Sequence, residues 1–362
     1  MIHPFDTLAC VCVSQLPRLL VSEAFFVSNL KSFFCRNKDT CNFSNPEYGL
    51  QWFCIRPKGE SCPKELISTQ SKLIKGKPQI GTGSFYKPGI TFQVKLKNSG
   101  LTVQAKMSNS SITPQKLSNC NNVVGKFNDS LLSGYFDSKI WHSAVCDNKI
   151  KTIDGAKHCL RNKAIYFIGD STCRQLHLEI ASYLKIQDKV LGHPPSWGSP
   201  RRAEDPTNNF VTHYKPHGLP MRSGYAEPIQ PPVVETLNKI NIMKGKNIII
   251  VFHMGPHFAL HHPSVFIHQI FQIRRAMQAL KKRVPNIKIL VKGAVRHKAN
   301  TENQPSEWPL YRSDLIMRQF FSDIPYIDTW SMTTVQPQKD VHAKSWMIRQ
   351  FVSLIFSHVC PS

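Results

Sequence analysis

Ser171 stands in Gly169-Asp170-Ser171-Thr172, between the apolar run Ala164-Ile165-Tyr166-Phe167-Ile168 and an amphipathic run beginning Arg174-Gln175-Leu176. A strand, a sharp turn and a helix in that order expose the hydroxyl at the carboxyl end of a sheet strand, with the first N–H groups of the helix aimed at any oxyanion formed beside it. That is the geometry of a nucleophile for acyl transfer. Gly-Asp-Ser also marks ordinary turns and helix caps, so the chemistry needs partners. A serine requires a base to take its proton, and the base requires a carboxylate or carbonyl to hold its tautomer. Asp340-Val341-His342 lies in a polar stretch before the periodic apolar residues Trp346, Phe351, Val352, Ile355, Phe356 and Val359, and supplies both. Ser171 is expected as nucleophile, His342 as base and Asp340 as the orienting carboxylate.

A second apolar run, Ile248-Ile249-Ile250-Val251-Phe252, leads into His253-Met254-Gly255-Pro256-His257-Phe258. A strand that delivers Gly and His to its carboxyl end can add a backbone or imidazole N–H to an oxyanion hole, so Gly255 and His257 join the Ser171 N–H as candidates. The spacing His253, His257, His261, His262 also suits a metal on one helical face, but Gly255-Pro256 and Pro263 forbid a regular helix there, and no metal site is expected. Arg174 falls in the first turn of the helix after Ser171, where the dipole disfavours a cation, which points to an anionic ligand or a buried carboxylate. His177 and Glu179, elsewhere around that helix, are expected in supporting or surface roles.

These residues need elements to hold them. After about residue 160 strands and helices alternate: Ala164–Ile168 then Arg174–Leu184, Asn247–Phe252 then Phe266–Lys282, Ile287–Val291 then Tyr311–Phe321, Tyr326–Ile327 then Ser345–His358. Such alternation implies an α/β domain with a mostly parallel sheet and right-handed crossovers. Leu176, Ile180 and Leu184 share one helix face and read as core. Gly192 to Pro232, dense in Pro and Gly and holding Trp197, His213, Tyr214, His217 and Tyr225, reads as an irregular insert over the strand ends, with His217 a candidate for substrate binding. Before 158 the pattern differs: 1–40 has no clear assignment, and 41–157 is β-rich and Cys-containing, with strands expected at Ile90–Leu96 and Leu101–Val103. Residues 158–362 form the α/β domain.

The 362 residues are 41% hydrophobic, enough for a large core, and carry 46 Lys and Arg against 23 Asp and Glu, a net charge of +23. An anionic partner follows. The basic residues are scattered, with no Arg-rich tail, zinc-finger spacing or RNA-binding aromatic pattern, so nucleic acid is not expected and acidic glycans fit. Eleven cysteines, most before residue 160, and the sequons at Asn42, Asn109 and Asn128 suit a disulfide-bearing protein of the secretory route. Cys173 is the thiol expected to remain unpaired. A Cys159–Cys360 link would tie the last helix to the start of the first core strand, one among several pairings left open. No run of eighteen apolar residues offers a transmembrane helix. A secretory signal is not evident in Met1–Cys35, and the cysteine and sequon pattern favours a leader outside this sequence.

Together the stations resemble the neurexophilin and PC-esterase domain family. Gly169-Asp170-Ser171-Thr172-Cys173-Arg174-Gln175, Gly255-Pro256-His257-Phe258, Tyr326-Ile327-Asp328-Thr329-Trp330-Ser331-Met332-Thr333 and Asp340-Val341-His342 before a final helix ending at Cys360 are similar to its ordered blocks. The resemblance covers roughly 40 to 360 and implies an SGNH-hydrolase-like α/β/α sandwich behind a small neurexophilin-like remnant. It also implies acyl chemistry on carbohydrate: a sialic acid O-acetyltransferase in the Golgi lumen or secreted, with no bound cofactor, acetyl-CoA as acyl donor and a sialylated glycoprotein as partner. A glycan acyl esterase with the same site, and an inactive extracellular glycan- or protein-binding module, stand as alternatives. The wider pattern has a carboxylate three residues before the histidine, where this chain has Lys339, and this makes Asp328 a reserve for Asp340. Ala343-Lys344 also replaces the prolines usual after the histidine.

Overall fold

The computed structural model describes residues 9–10, 40–49, 53–55, 61–62, 70–71, 117–120, 123, 133–148, 152–192, 196, 198–218, 230–258, 263–297 and 307–360. The strands expected at 90–96 and 101–103 lie outside these residues. A seven-stranded sheet dominates: β1 (Lys163–Gly169), β2 (Asp188–Val190), β3 (Arg201–Asp205), β4 (Phe210–Pro216), β5 (Asn247–His253), β6 (Lys288–Lys292) and β7 (Tyr326–Ile327). They lie in the order β7-β6-β5-β1-β4-β3-β2. β7, β6, β5, β1 and β4 run parallel, and β3 and β2 continue the edge antiparallel.

Both faces of the central strands are covered, which is why they read as continuous apolar runs. Along β5, Ile249 and Val251 join one core cluster with Ile165 and Phe167 of β1; Ile248, Ile250 and Phe252 join the other. The first cluster takes in residues of α1 (Ile153–Leu160), α2 (Ser171–Tyr183) and α7 (Ser345–Val359). The second takes in α3 (Val233–Lys239), α4 (Pro263–Arg283) and α5 (Glu307–Phe320). The result is an α/β/α sandwich. A short α6 (Thr329–Val335) follows β7, and the loop from Gln336 to Lys344 joins it to α7.

The chain leaves β1 towards β4 on one side and later returns to β5 on the other. β1 is therefore flanked by strands reached in opposite directions, the arrangement that opens a crevice at the carboxyl ends of a doubly wound sheet. Gly169, Pro216 and His253 sit side by side at that edge.

One expectation needs correction. The segment from Gly192 to Pro232 is not an irregular insert throughout, because β3 and β4 lie within it and β4 pairs directly with β1. Phe210, Val211, Thr212 and Tyr214 are buried, and their apolar pattern outweighs the Pro and Gly around them. Three of the helices start earlier than periodicity suggests, α2, α4 and α5, whereas α7 starts at Ser345 as expected; α2 begins at Ser171, where the Asp170 side chain accepts from Thr172 N.

Packing of the α/β core extends back beyond 158. In the hairpin Gly134–Asp137 and Ile140–Ser143, Trp141 is buried and its N–H donates to Gln350 Oε1 of α7 at 3.0 Å. Cys120–Cys146 and Cys159–Cys360 are disulfides, the second joining α1 to the end of α7, and Cys41–Cys62 closes a third. Cys173 is free and buried, with its thiol pushed up by burial. Among the described residues no helix is long and apolar enough to cross a membrane.

Candidate active site

The nucleophile turn is built around Gly169. Its φ of +150° and its closeness to β5 exclude any side chain, since a Cβ there would lie 1.8 Å from the His253 carbonyl oxygen. Asp170 follows, fully buried, and its Oδ1 accepts from Thr172 N at 2.8 Å and from the Thr172 hydroxyl at 2.7 Å. Burial opposes its ionisation, but His253, His257, Lys292 and the Thr172 bond together hold its carboxyl well below the usual carboxylate range. The first N–H of a helix has no acceptor within the helix, which leaves the Ser171 N–H available to an oxyanion.

Ser171 Oγ lies 2.7 Å from Nε2 of His342, across 171 residues of sequence. His342 Nδ1 lies 3.3 Å from Asp340 Oδ1. The same oxygen accepts the His342 backbone N–H at 2.9 Å. Asp340 thus closes an Asx turn on its own chain, and that turn brings the carboxylate to the ring although only one residue separates the two. With Nδ1–H towards Asp340, Nε2 is left to accept the serine proton. The loop is held from α2, where Gln175 Nε2 donates to Ala343 O at 3.0 Å, and from within, where Lys344 N donates to Gln338 Oε1 at 3.1 Å. The site is open, with 43% of the His342 side chain exposed.

Beyond β5, Gly255 turns the chain into a short 3-10 helix, Pro256–Phe258, by accepting from Phe258 N at 2.9 Å. A Cβ at Gly255 would meet only ordinary contacts, from Ser313 and His253, so the protein's own packing does not demand glycine there. His257 is half-buried, and its Nδ1 is 2.8 Å from His217 Nε2.

Residues 141–360 match the family model described as NXPE family member 4-like, C-terminal domain. The chain belongs to the NXPE family. The chain is also similar to a solved structure described as a peptidoglycan O-acetylesterase in action, at 8% identity over 55% of this chain and 91% of that chain, with a TM-score of 0.28.

Other expected residues of the NXPE domain take up different places. Asp328, the reserve carboxylate, is engaged elsewhere: it caps α6 by accepting from Ser331 N at 3.0 Å and from the Ser331 hydroxyl at 2.6 Å, and it pairs with Arg318 at 2.5 Å. It therefore does not serve His342. His217, read as substrate-binding, is 1% exposed and pinned by its backbone N–H to Gly169 O at 3.0 Å. It lies beneath the site, against His257, instead of lining it. Arg174 is half-buried within electrostatic reach of Tyr214, Arg201 and Asp170. His177 is fully buried, bonded to Thr212 at 3.1 Å and Asp188 at 2.8 Å, and Glu179 pairs with Arg349 of α7 at 2.9 Å.

Of the four spaced histidines, His261 and His262 lie outside the described residues. Among those described, the one cluster of three ligand-type side chains, Cys120, Cys146 and His358, has both thiols in a disulfide.

Lys292 escaped sequence reasoning. It ends β6 fully buried, and its Nζ donates to Thr172 Oγ1 at 3.2 Å and to Gly293 O at 2.9 Å. Through Thr172 it reaches Asp170 and the base of the nucleophile turn. The signal was a lone lysine at the carboxyl end of Ile289-Leu290-Val291, level with the strand ends that carry the site.

Proposed function

We propose that this NXPE domain is an O-acyltransferase acting on glycans, with sialic acid O-acetylation as its reaction and acetyl-CoA as its donor. The Ser171–His342 hydrogen bond of 2.7 Å carries the acyl-transfer reading. As Ser171 Oγ attacks the acyl carbonyl, its proton passes to His342 Nε2, and Asp340 faces the resulting imidazolium. The tetrahedral oxyanion is received by the N–H groups of Ser171 and Gly255 and by the His257 ring. Collapse breaks the bond to the donor sulfur, which leaves with the proton from Nε2. A sugar hydroxyl then gives its proton to Nε2 and attacks the acyl-serine, and the second collapse releases the sugar ester and returns the proton to Ser171.

A net charge of +23 and the guanidinium of Arg174, one helical turn from Ser171, suit an acceptor that carries a carboxylate. The three disulfides among the described residues suit the oxidising Golgi lumen or the cell exterior. The exposure of His342 favours a second reading with the same residues, in which water replaces the sugar and the domain is a glycan acyl esterase.

The test supplies labelled acetyl-CoA and a sialylated glycoprotein to the full chain, beside the desialylated glycoprotein and the Ser171→Ala protein. The proposal expects label on the glycan only where both sialic acid and Ser171 are present. Release of acetate from O-acetylated sialosides without transfer would favour the esterase. Neither activity in folded protein, with glycan binding retained, would assign the domain to binding.

A further inference from the structure

Trp308 leaves 58% of its surface in solvent, an unusual position for a side chain of that size. It stands in the first turn of α5 and belongs to a row. Its ring centroid lies 6.2 Å from that of Tyr311, one turn further along α5, and Tyr311 lies 5.1 Å from Trp330 in the first turn of α6. Tyr311 and Trp330 are half-buried. Leu310, Ser313, Asp314 and Met317 of α5 are buried against the fold, which leaves Trp308 and Tyr311 towards its outward side.

The row stands beside the proposed active site. α6 is anchored where β6 ends: the Thr329 hydroxyl lies 2.7 Å from Gly293 O and 2.9 Å from Ala294 O, and Arg296 N donates to Thr333 Oγ1 at 2.8 Å. Arg296 Nε donates to Glu307 Oε2 at 3.0 Å, which ties the start of α5 to the same edge. The next residue, His297, bridges to Gln338 in the loop that carries the base, and its ring lies within electrostatic reach of Asp340, Glu307 and His342. On its other side α5 reaches the chain beyond β5, since a Cβ at Gly255 would lie 3.6 Å from Ser313 Cβ. The first two turns of α5 therefore stand between Gly255 and the His342 loop.

The chemistry of the row selects its occupant. A pyranose presents an apolar face of C–H groups and a rim of hydroxyls. Indole and phenol rings cover such a face and keep a polar edge in water. At the foot of Trp308 the Arg296–Glu307 pair supplies a donor and an acceptor for the rim, with 31% and 39% of the two side chains exposed. A sugar carboxylate laid over the rings would lose hydration without gaining a partner, so an uncharged ring fits. We infer that Trp308, Tyr311 and Trp330 form a stacking subsite for an uncharged pyranose, the sugar next to the sialic acid that receives the acyl group. That this sugar belongs to the acceptor rests on the acyl-transfer reading; the stacking does not.

The experiment is a saturation-transfer NMR titration of the full chain with lactose, an uncharged disaccharide, and with sialyllactose, in the absence of any acyl donor. The inference expects saturation of the galactose C–H protons in both. Trp308→Ala should weaken lactose binding about tenfold, the scale of one aromatic contact, and Trp308→Phe should bind within about threefold of the wild type. Phe271→Ala, which removes an aromatic ring 47% exposed on α4, should bind as the wild type does. No saturation of lactose by folded protein, or equal binding by the wild type and Trp308→Ala, overturns the inference. A wild-type dimer in sedimentation that Trp308→Ala dissociates overturns it too, by giving this face to a second copy. Lactose binding that Trp308→Ala abolishes, in a chain whose wild type no fluorophosphonate labels, would sustain the subsite and overturn the acyl-transfer reading alone.

Discussion

Asp340 reaches the base by bending back on its own chain, and this has a measurable consequence. Its carboxylate is half-exposed and lies 3.3 Å from Nδ1, so solvent screens it more than it would a buried triad acid. Asp340→Ala should slow Ser171 acylation about 100-fold, less than the loss of about 10⁴ seen when a buried triad carboxylate is removed, as read from labelling rates. Asp328→Ala should act on stability instead. It removes one of the two carboxylates on Arg318, which keeps its pair with Asp314 at 2.7 Å, and it removes the cap of α6, so it should lower unfolding free energy by about 2 kcal/mol in a denaturant titration while labelling per folded molecule is retained. At this scale the meeting of Ser171, His342 and Asp340 was legible, because a serine on a strand-to-helix turn and an Asp-x-His turn are marked by residue type and spacing. The displacement of Asp328 was not, because its partner Arg318 stands on another helix. The burial of His217 was equally hidden, since nothing in a Pro-rich segment says that a strand ends just before it.

Elements deliver these side chains to one edge. β1 ends at Gly169, β4 at Pro216 and β5 at His253, all three in register, and the site groups follow within a few residues of each. Gly169→Ala tests that convergence, because its Cβ would strike the His253 carbonyl and its φ suits only glycine; a destabilisation of about 3 kcal/mol or more is expected by urea unfolding. Gln175 tests the opposite wall. Gln175→Ala removes the side-chain bond from α2 to the loop carrying His342, and acylation should slow about tenfold with stability little changed, since misplacing a catalytic group costs rate steeply. Four of the parallel strands were legible from their apolar runs, and the helices after them from period. β4 was not: its Val211, His213 and Lys215 alternate with buried Thr212 and Tyr214, and the polar members disguise a strand that is central.

The whole molecule carries its histidines at a cost in acid. Burial pushes the rings of His217 and His253 down to about 3, and those of His213 and His358 to about 4, from an ordinary 6.5. As pH falls below 6.5 the unfolded chain takes up protons that the folded chain refuses, so stability is full above 6.5 and declines towards 4, on the order of 1 kcal/mol per pH unit for each ring. Melting temperature should therefore drop steeply between pH 7 and pH 5; a flat profile would mean that these rings are not neutral inside the fold. Cys159–Cys360 spans 201 residues and clamps the first helix to the last, a connection that the sequence raised as one option among several. All of the proposed acyl chemistry depends on the activation of Ser171 by His342. Treatment of the full chain with a fluorophosphonate, followed by peptide mass mapping, tests it directly. A single adduct on Ser171 is expected, absent in Ser171→Ala and reduced at least about 100-fold in His342→Ala with the fold intact; an unlabelled wild type, or equal labelling when His342 is removed, would show that His342 does not activate Ser171.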